Sequence, residues 1–363
     1  MSDKTSSVSH PTHGVDSSDV DVLSIKGRVT INDIARLANV SKKTVSRVIN
    51  DSPLVREETR QKVKAVIEAY GFRPDPQARA LAFRRSFLIG MIYDNPNPQY
   101  VVNIQRGILD VLESTDHQLV LQPTNRSAED YYDRIRRFIE NHRPTGLILT
   151  PSISEDEDLA AMLRELECNY VRVASVDLDE PGKLVRTDDA AGAAEAARHL
   201  ARLGHTKIAH ISGPRSFRSV HQRLFGFREG LSEFGLELDP ALLIEGGYNF
   251  ETGMNAAEDL LTRRDRPTAI FAGNDEMAIG VYTAARKVGL NIPDDVSVVG
   301  FDDTPMASRI WPSLTTVRLQ IRDMGREAAN TLLHAVSEGD MPRRSERFTP
   351  EILLRESSAP PST

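Results

Sequence analysis

The sequence predicts an all-α helix-turn-helix headpiece followed by an α/β core of two doubly wound subdomains. Three observations carry that prediction. Residues 29–50 hold two short apolar stripes at helical spacing that meet at a tight turn. From Phe87 onward, apolar runs of strand length alternate with helical segments, the pattern of parallel sheets with right-handed crossovers. At 363 residues the chain exceeds one comfortable hydrophobic core, so two or three domains are expected.

Taken in order, residues 1–25 are polar and acidic, with Asp3, Asp16, Asp19 and Asp21 against Lys4, and read as a disordered tail. His10 and His13 in that tail are read as no metal site. The headpiece spans 26–72. Thr30 with Asp33 makes a capping box, and Ile31, Ile34, Ala35 and Ala38 follow at helical spacing. Asn39-Val40 breaks the period, Ser41 is a good N-cap, and Val45, Val48 and Ile49 mark a second helix of about two turns. Val63, Val66, Ile67 and Tyr70 mark a third, closed by Gly71. The second helix exposes Lys42, Lys43, Ser46 and Arg47, and the i, i+4 pair Lys43/Arg47 shares one face, which suits donors laid along a major groove.

The charge distribution agrees. The whole chain is −7, yet residues 26–86 hold 14 Lys/Arg against 6 Asp/Glu, net +8, leaving −15 for the remainder. A basic segment gains affinity for nucleic acid by releasing condensed counterions, and an acidic remainder discourages adhesion of the larger part to phosphates.

Asp33-Ile34-Ala35, Val40-Ser41, Thr44-Val45-Ser46-Arg47-Val48 and Asn50 together resemble the helix-turn-helix of the LacI/GalR family of bacterial transcription regulators. The resemblance implies that Thr30, Ser41, Lys42, Lys43, Thr44, Ser46, Arg47 and Asn50 meet double-stranded operator DNA. Next, Arg73-Pro74-Asp75-Pro76-Gln77-Ala78-Arg79-Ala80-Leu81-Ala82 encodes a helix of roughly two turns, with Pro74 as breaker, Asp75 as cap and Pro76 at the first helical position. A helix this short forms only when docked. The segment 73–86 resembles the family's hinge helix, which pairs with its dimer mate and presses a leucine into the minor groove; Leu81 holds that position, with Arg79 beside it.

Candidate strands of the core are Phe87–Tyr93, Gln118–Gln122, Gly146–Leu149, Tyr170–Ala174, Lys207–Ser212, Leu243–Gly246, Thr268–Ala272 and Val296–Phe301. Asp130–Asn141, Ala190–Leu203 and Asp275–Val288 read as helices. There are too many units for one sheet, and a split near Asp188 gives two halves. The family resemblance supplies their arrangement, like a periplasmic sugar-binding protein with three crossings. The first half is expected to hold 87–188 plus 319–345, with a last helix at Asp323–Val336, and the second 189–318 plus 346–356. Residues 357–363 read as a short tail without heptads, so the tetramerising coiled coil of some relatives is absent and a homodimer is expected.

Ligands of doubly wound sheets bind beyond the carboxyl ends of the strands. The residues there are polar and aromatic together: Tyr93-Asp94-Asn95 with Tyr100, Asn125, Asp189, then Phe217, Ser219 and Arg223, then Tyr248, Asn274 and Asp302. Carboxylates and arginine bind vicinal hydroxyls, and an aromatic face covers the apolar side of a pyranose, which favours a sugar or related polyol. Singly, each is as well read as a cap or loop former; Asn274-Asp275, for instance, can cap the helix after it. Gly213-Pro214…Arg223, Asn274-Asp275 and Val299-Gly300-Phe301-Asp302-Asp303 resemble family motifs in order and spacing. That resemblance implies Arg223 and Asp302 as effector ligands, Asn274 next, and Tyr248 as stacking ring. Leu319 and Ile321 stand where some relatives place a polar side chain and an aromatic.

No phosphate-cradling Gly-rich loop, His-Glu-x-x-His, Gly-x-Ser-x-Gly or Cys-x-x-Cys occurs, and the nine His are scattered. No catalytic residue, cofactor or metal is therefore expected. The lone Cys168 rules out an internal disulfide, and no apolar run reaches the ~20 residues of a membrane helix. No secretory h-region is present, so the expected place is the cytoplasm. The combined expectation is a transcription regulator, a repressor of carbohydrate use, released or recruited by a small sugar-like effector. The alternatives are a two-lobed sugar-modifying enzyme and a free-standing sugar-binding protein; the second would need an export signal and no basic headpiece.

Overall fold

Thr30 and Asp33 start the first helix as their spacing predicts. The Thr30 hydroxyl accepts from the Asp33 amide at 3.4 Å and the Asp33 carboxylate accepts from the Thr30 amide at 3.0 Å, so two orphan donors are satisfied reciprocally at the start of α1 (Ile31–Leu37). Asn39 turns the chain at φ 50°, and Ser41 caps α2 (Lys42–Ile49) by accepting from the Thr44 amide at 3.0 Å. Helix α3 (Glu57–Ala69) ends at Gly71, φ 59°, where the Phe72 and Gly71 amides return to the Ile67 and Glu68 carbonyls at 3.0 and 3.2 Å. Ile34, Ala35, Ala38, Val45, Val48, Val63 and Phe72 are the buried centre of the three helices.

The structure is a computed structural model that describes residues 29–49, 52–72, 86–338 and 347–362. It divides into two units, one ending at Arg79 and one beginning at Ala80. The expected tail 1–25, Asn50, and the expected hinge segment from 73 to 85 with Arg79 and Leu81 lie outside the described residues.

The larger unit is built on two six-stranded sheets. The first contains β1 (Leu88–Tyr93), β2 (Gln118–Pro123), β3 (Gly146–Leu149), β4 (Tyr170–Ala174), β5 (Leu184–Thr187) and β11 (Arg347–Phe348), in the order β11-β5-β4-β3-β1-β2. The second contains β6 (Ile208–Ser212), β7 (Leu243–Glu245), β8 (Ala269–Ala272), β9 (Ser297–Phe301), β10 (Thr315–Arg318) and β12 (Glu351–Leu353), in the order β12-β10-β9-β8-β6-β7. All pairings are parallel except that of β10 with β12. Strands β3, β4, β6, β8 and β9 are buried at every position, as strands covered on both faces must be, Arg172, His210, Ser212 and Ser297 included.

Helices α4 (Pro98–Leu112), α5 (Tyr131–His142) and α6 (Glu157–Glu165) belong to the first half. Helices α7 (Asp189–Arg202), α8 (Arg218–Ser232), α9 (Phe250–Leu261) and α10 (Asp275–Lys287) belong to the second. The long α11 (Ile321–Glu338) returns to the first half and packs on α4. The two helices touch through glycine: a Cβ on Gly107 would stand 1.9 Å from the Arg322 carbonyl oxygen.

The chain crosses between halves at Asp188, at Leu319-Gln320 and at Thr349-Pro350. The three crossings are bonded to one another. The Asp188 amide donates to the Phe348 carbonyl at 2.9 Å, Arg347 pairs with the Asp188 carboxylate, and Gln320 Nε2 donates to the Thr349 carbonyl at 3.1 Å.

The eight expected strands are present, two with the expected ends and six with one end shifted by a single residue. Two assignments need correction. Residues 346–356 do not all return to the second half, because Arg347-Phe348 pairs with Arg186-Thr187 at the edge of the first sheet. Of the expected tail 357–363, the described residues 357–362 dock on the second half. Ser357 is fully buried, its carbonyl accepting from the Val298 amide at 2.8 Å and its hydroxyl donating to the Val298 carbonyl at 2.6 Å, and the Ala359 amide donates to Ser297 Oγ at 3.0 Å. A Ser/Ala/Pro segment has no apolar period, yet it docks through its hydrogen bonds.

Candidate functional site

In the headpiece, the N-terminal turn of α2 carries Lys42 and Lys43, both exposed, and no acid. Two cations at the positive end of a helix are locally unfavourable and become favourable when a phosphate approaches. Arg47 lies one turn beyond Lys43 on the same face, with Thr44 and Ser46 half-buried between them. Thr30 and Ser41 are committed to capping, and Ser41 Oγ also lies 2.9 Å from Thr44 Oγ1. They set the helix starts that aim the basic face.

In the larger unit, the loops after the strands of both sheets converge on a narrow cleft with a cavity of about 40 Å³. The first half contributes Asn95, Asn97 and Tyr100, then Pro151, Val173, Ala174, Ser175 and Thr187. The second contributes Asp189, Phe217, Ser219, Arg223, Tyr248, Asn274 and Asp302, the crossing adds Leu319, and α11 of the first half adds Met324.

Arg223 sits at its centre, buried. Its Nε donates to Asp189 Oδ2 at 2.8 Å, its Nη1 donates to the Gly273 carbonyl, and its Nη2 lies 3.9 Å from Asp302 Oδ1. The guanidinium rests on the Phe301 ring, 3.7 Å from the centroid. Asp189 is further held by the Thr187 hydroxyl. Burial pushes the Asp302 carboxyl up to about 8 against the pull of Arg223. Asp302 and Tyr248 both have left-handed backbones, φ 108° and 60°, the kind of strain that persists where surrounding structure enforces it. Part of that enforcement is Asp275, fully buried, which accepts from the Thr304 amide and the Thr316 hydroxyl at 2.6 Å each. Phe217 meets Tyr248 edge to face at 5.5 Å, giving the cleft an apolar wall. Asn274 caps α10 by accepting from the Met277 amide at 2.9 Å, and its own amide, on the cleft wall, donates to the Tyr248 carbonyl at 3.0 Å.

Besides the Thr187–Asp189 bond at the first crossing, two hydrogen bonds among the described residues join the halves across the cleft. Asn97 Nδ2 donates to Asp302 Oδ2 at 3.2 Å, and Glu155 Oε2 accepts from the Arg218 amide at 2.9 Å. Helix α8 has no side-chain cap of its own, so a carboxylate from the opposite half satisfies its first turn. Burial raises Glu155 to about 7.

The cleft therefore gathers Asn95, Tyr100, Asp189, Phe217, Ser219, Arg223, Tyr248, Asn274 and Asp302. Three expected residues do not line it. Tyr93 is the last residue of β1 and packs against the core. Asp94 turns to Ser152, whose hydroxyl donates to it at 3.0 Å, and so clamps the loop that presents Pro151. Asn125 accepts from the Ser127 amide at 2.9 Å and shapes a turn. Sequence reasoning missed Asn97, Glu155 and Asp275 in these roles. Asn97 carried a signal, an N-cap residue immediately before a proline at the first helical position, and Asp275 stood in the Asn274-Asp275 motif, whereas Glu155 carried none.

Comparison with known proteins decides the family. Residues 30–75 match the lacI family of bacterial regulatory proteins, and residues 197–358 match a periplasmic binding protein-like domain. The HTH-type transcriptional regulator DegA of Bacillus subtilis (strain 168) is 32% identical over 342 residues, 93% of this chain and 100% of DegA. The chain belongs to the LacI family of bacterial regulatory proteins. A lac repressor dimer bound to operator and the anti-inducer ONPF superposes with a TM-score of 0.76 at 28% identity, covering 92% of this chain and 100% of that one. A complex of the transcriptional regulator CelR with cellobiose gives 0.69 at 29%, covering 91% and 100%. This LacI-family chain is a DNA-binding transcriptional regulator with a helix-turn-helix headpiece, and the relatives it matches are regulators. Among the described residues no helix is long and apolar enough to cross a membrane.

Proposed function

We propose that the protein is a cytoplasmic, non-enzymatic homodimer that represses a carbohydrate-utilisation operon and is controlled by a small sugar-like effector in the cleft. The observation that carries this reading is the pairing of a buried Arg223–Asp189–Asp302 cluster with an aromatic wall, a combination that binds vicinal hydroxyls and covers a sugar's apolar face. Relatives bound to cellobiose and to operator support both ends of it. Lys42, Lys43, Thr44, Ser46 and Arg47 are assigned to operator contact, with Thr30 and Ser41 setting the helix starts. By resemblance Asn50, Arg79 and Leu81 complete the DNA surface. Glu155 and Asn97 hold the halves together, so a ligand between them shifts the balance of closure. Shifting such a switch takes several kcal/mol of differential affinity.

Selection of duplexes from a random pool by the full-length protein tests the reading. An enriched pseudo-palindrome is expected, with Lys43→Ala relaxing preference at one position per half-site by about 1–3 kcal/mol. No enriched sequence at low salt overturns it.

A further inference from the structure

We propose that the cleft accepts an uncharged polyol and refuses its phosphorylated and carboxylated derivatives, so that the regulator senses the free sugar ahead of any reaction that charges it. This deepens the effector reading and rests on it.

Arg223 is the one cation among the described residues lining the cleft. Its charge is already matched: Asp189 takes Nε at 2.8 Å, the Gly273 carbonyl takes Nη1 and Phe301 covers one face at 3.7 Å, while Nη2, 3.9 Å from Asp302, keeps its N–H donors for a neutral ligand oxygen. A ligand phosphate or carboxylate would have to displace Asp189 from it, leaving a carboxylate buried without its partner, or sit beside the buried Asp189 carboxylate. Either costs several kcal/mol in a desolvated site. The nearest other arginines do not line the cleft. Arg126 is engaged by the Ser152 carbonyl at 3.4 Å and Asp156 at 3.5 Å, and Arg218 is exposed on the first turn of α8. The unused groups are neutral. Tyr100 Oη and Ser175 Oγ are buried in the cleft wall without hydrogen-bond partners, and burial raises the Tyr100 phenol so that it keeps its proton. A hydroxyl both donates and accepts, so a polyol satisfies acceptor-only Asp189, donor-only Arg223, and the ambivalent Tyr100, Ser175 and Asp302, whose burial keeps a proton on its carboxyl, with one functional group. The Asp189 carboxylate thus acts as a repulsive element against anionic analogues.

The test is calorimetric titration of the full-length protein with matched sets: glucose, galactose, ribose and cellobiose, against glucose 6-phosphate, ribose 5-phosphate, glucuronate and galacturonate, with glucosamine as the cationic control. At least one neutral sugar is expected to bind at least about tenfold tighter than its charged counterparts, a difference of 1.4 kcal/mol or more. Asp189→Asn, which frees the guanidinium, is expected to narrow that gap by strengthening the anionic ligands. Tighter binding of a phosphate, a uronate or glucosamine than of the neutral sugars overturns the inference and leaves the sugar-effector reading standing. Binding of none of the nine overturns both.

Discussion

Arg223 is held by more groups than any ligand would add, and this makes it a hub for the cleft walls as well as a binding residue. Its removal leaves Asp189 and Asp302 buried without a cation, a loss of about 3–5 kcal/mol when one partner of a buried pair is deleted. Arg223→Ala is therefore expected to lower the thermal midpoint and to give operator binding that no longer responds to a sugar, checked by calorimetry and by gel shift with and without ligand. The residue itself, inside α8, was legible through the family resemblance, whereas Asp189, Tyr248, Asn274 and Asp302 were legible because each follows a strand whose carboxyl end must face the cleft. Position after a strand does not say which way a side chain turns. Asp94 follows β1 as Asp302 follows β9, yet Asp94 is taken by Ser152. Glu155 and Asn97 were illegible as bridges because their partners, Arg218 and Asp302, lie 63 and 205 residues further along the chain.

At the level of elements, what the sequence displays depends on whether the element carries its own period. The helices of the headpiece do, and their caps at Thr30 and Ser41 stand where the spacing puts them. Strands β5, β10, β11 and β12 do not. They run two to four residues, include Arg186, Arg318 and Arg347, and owe their existence to the neighbour they pair with. The same dependence on a neighbour shows in the contact between α4 and α11. Gly107→Ala sets a methyl group 1.9 Å from the Arg322 carbonyl oxygen, and backbone cannot rotate away as a side chain can. An overpacking loss of about 1–3 kcal/mol is expected, measured as a lower urea midpoint with unchanged slope. An unchanged midpoint would show that the two helices slide freely.

For the molecule as a whole, closure of the larger unit is linked to protons. Glu155 rises from 4.5 to about 7 and Asp302 from 3.8 to about 8, burial being the leading cause for both. A carboxyl whose folded value exceeds its unfolded one holds a proton that the unfolded chain has already released. The stability this contributes is full below the unfolded values and is lost as pH rises towards 7 for Glu155 and 8 for Asp302. The ligand-free protein is expected to lose thermal stability between pH 5 and 8, and Glu155→Gln to flatten that slope. A slope identical in the variant would remove Glu155 from the linkage.

The three crossings between halves lie side by side and are bonded among themselves through Asp188, Gln320 and residues 347–349. They work like the stitched spine of a book. Pages bound along one edge can turn but cannot slide past each other, so the two covers share a single rotary freedom. A guest of a few ångströms at the open edge is thereby converted into an angle, and an angle is a quantity that the far margin of each cover reports amplified.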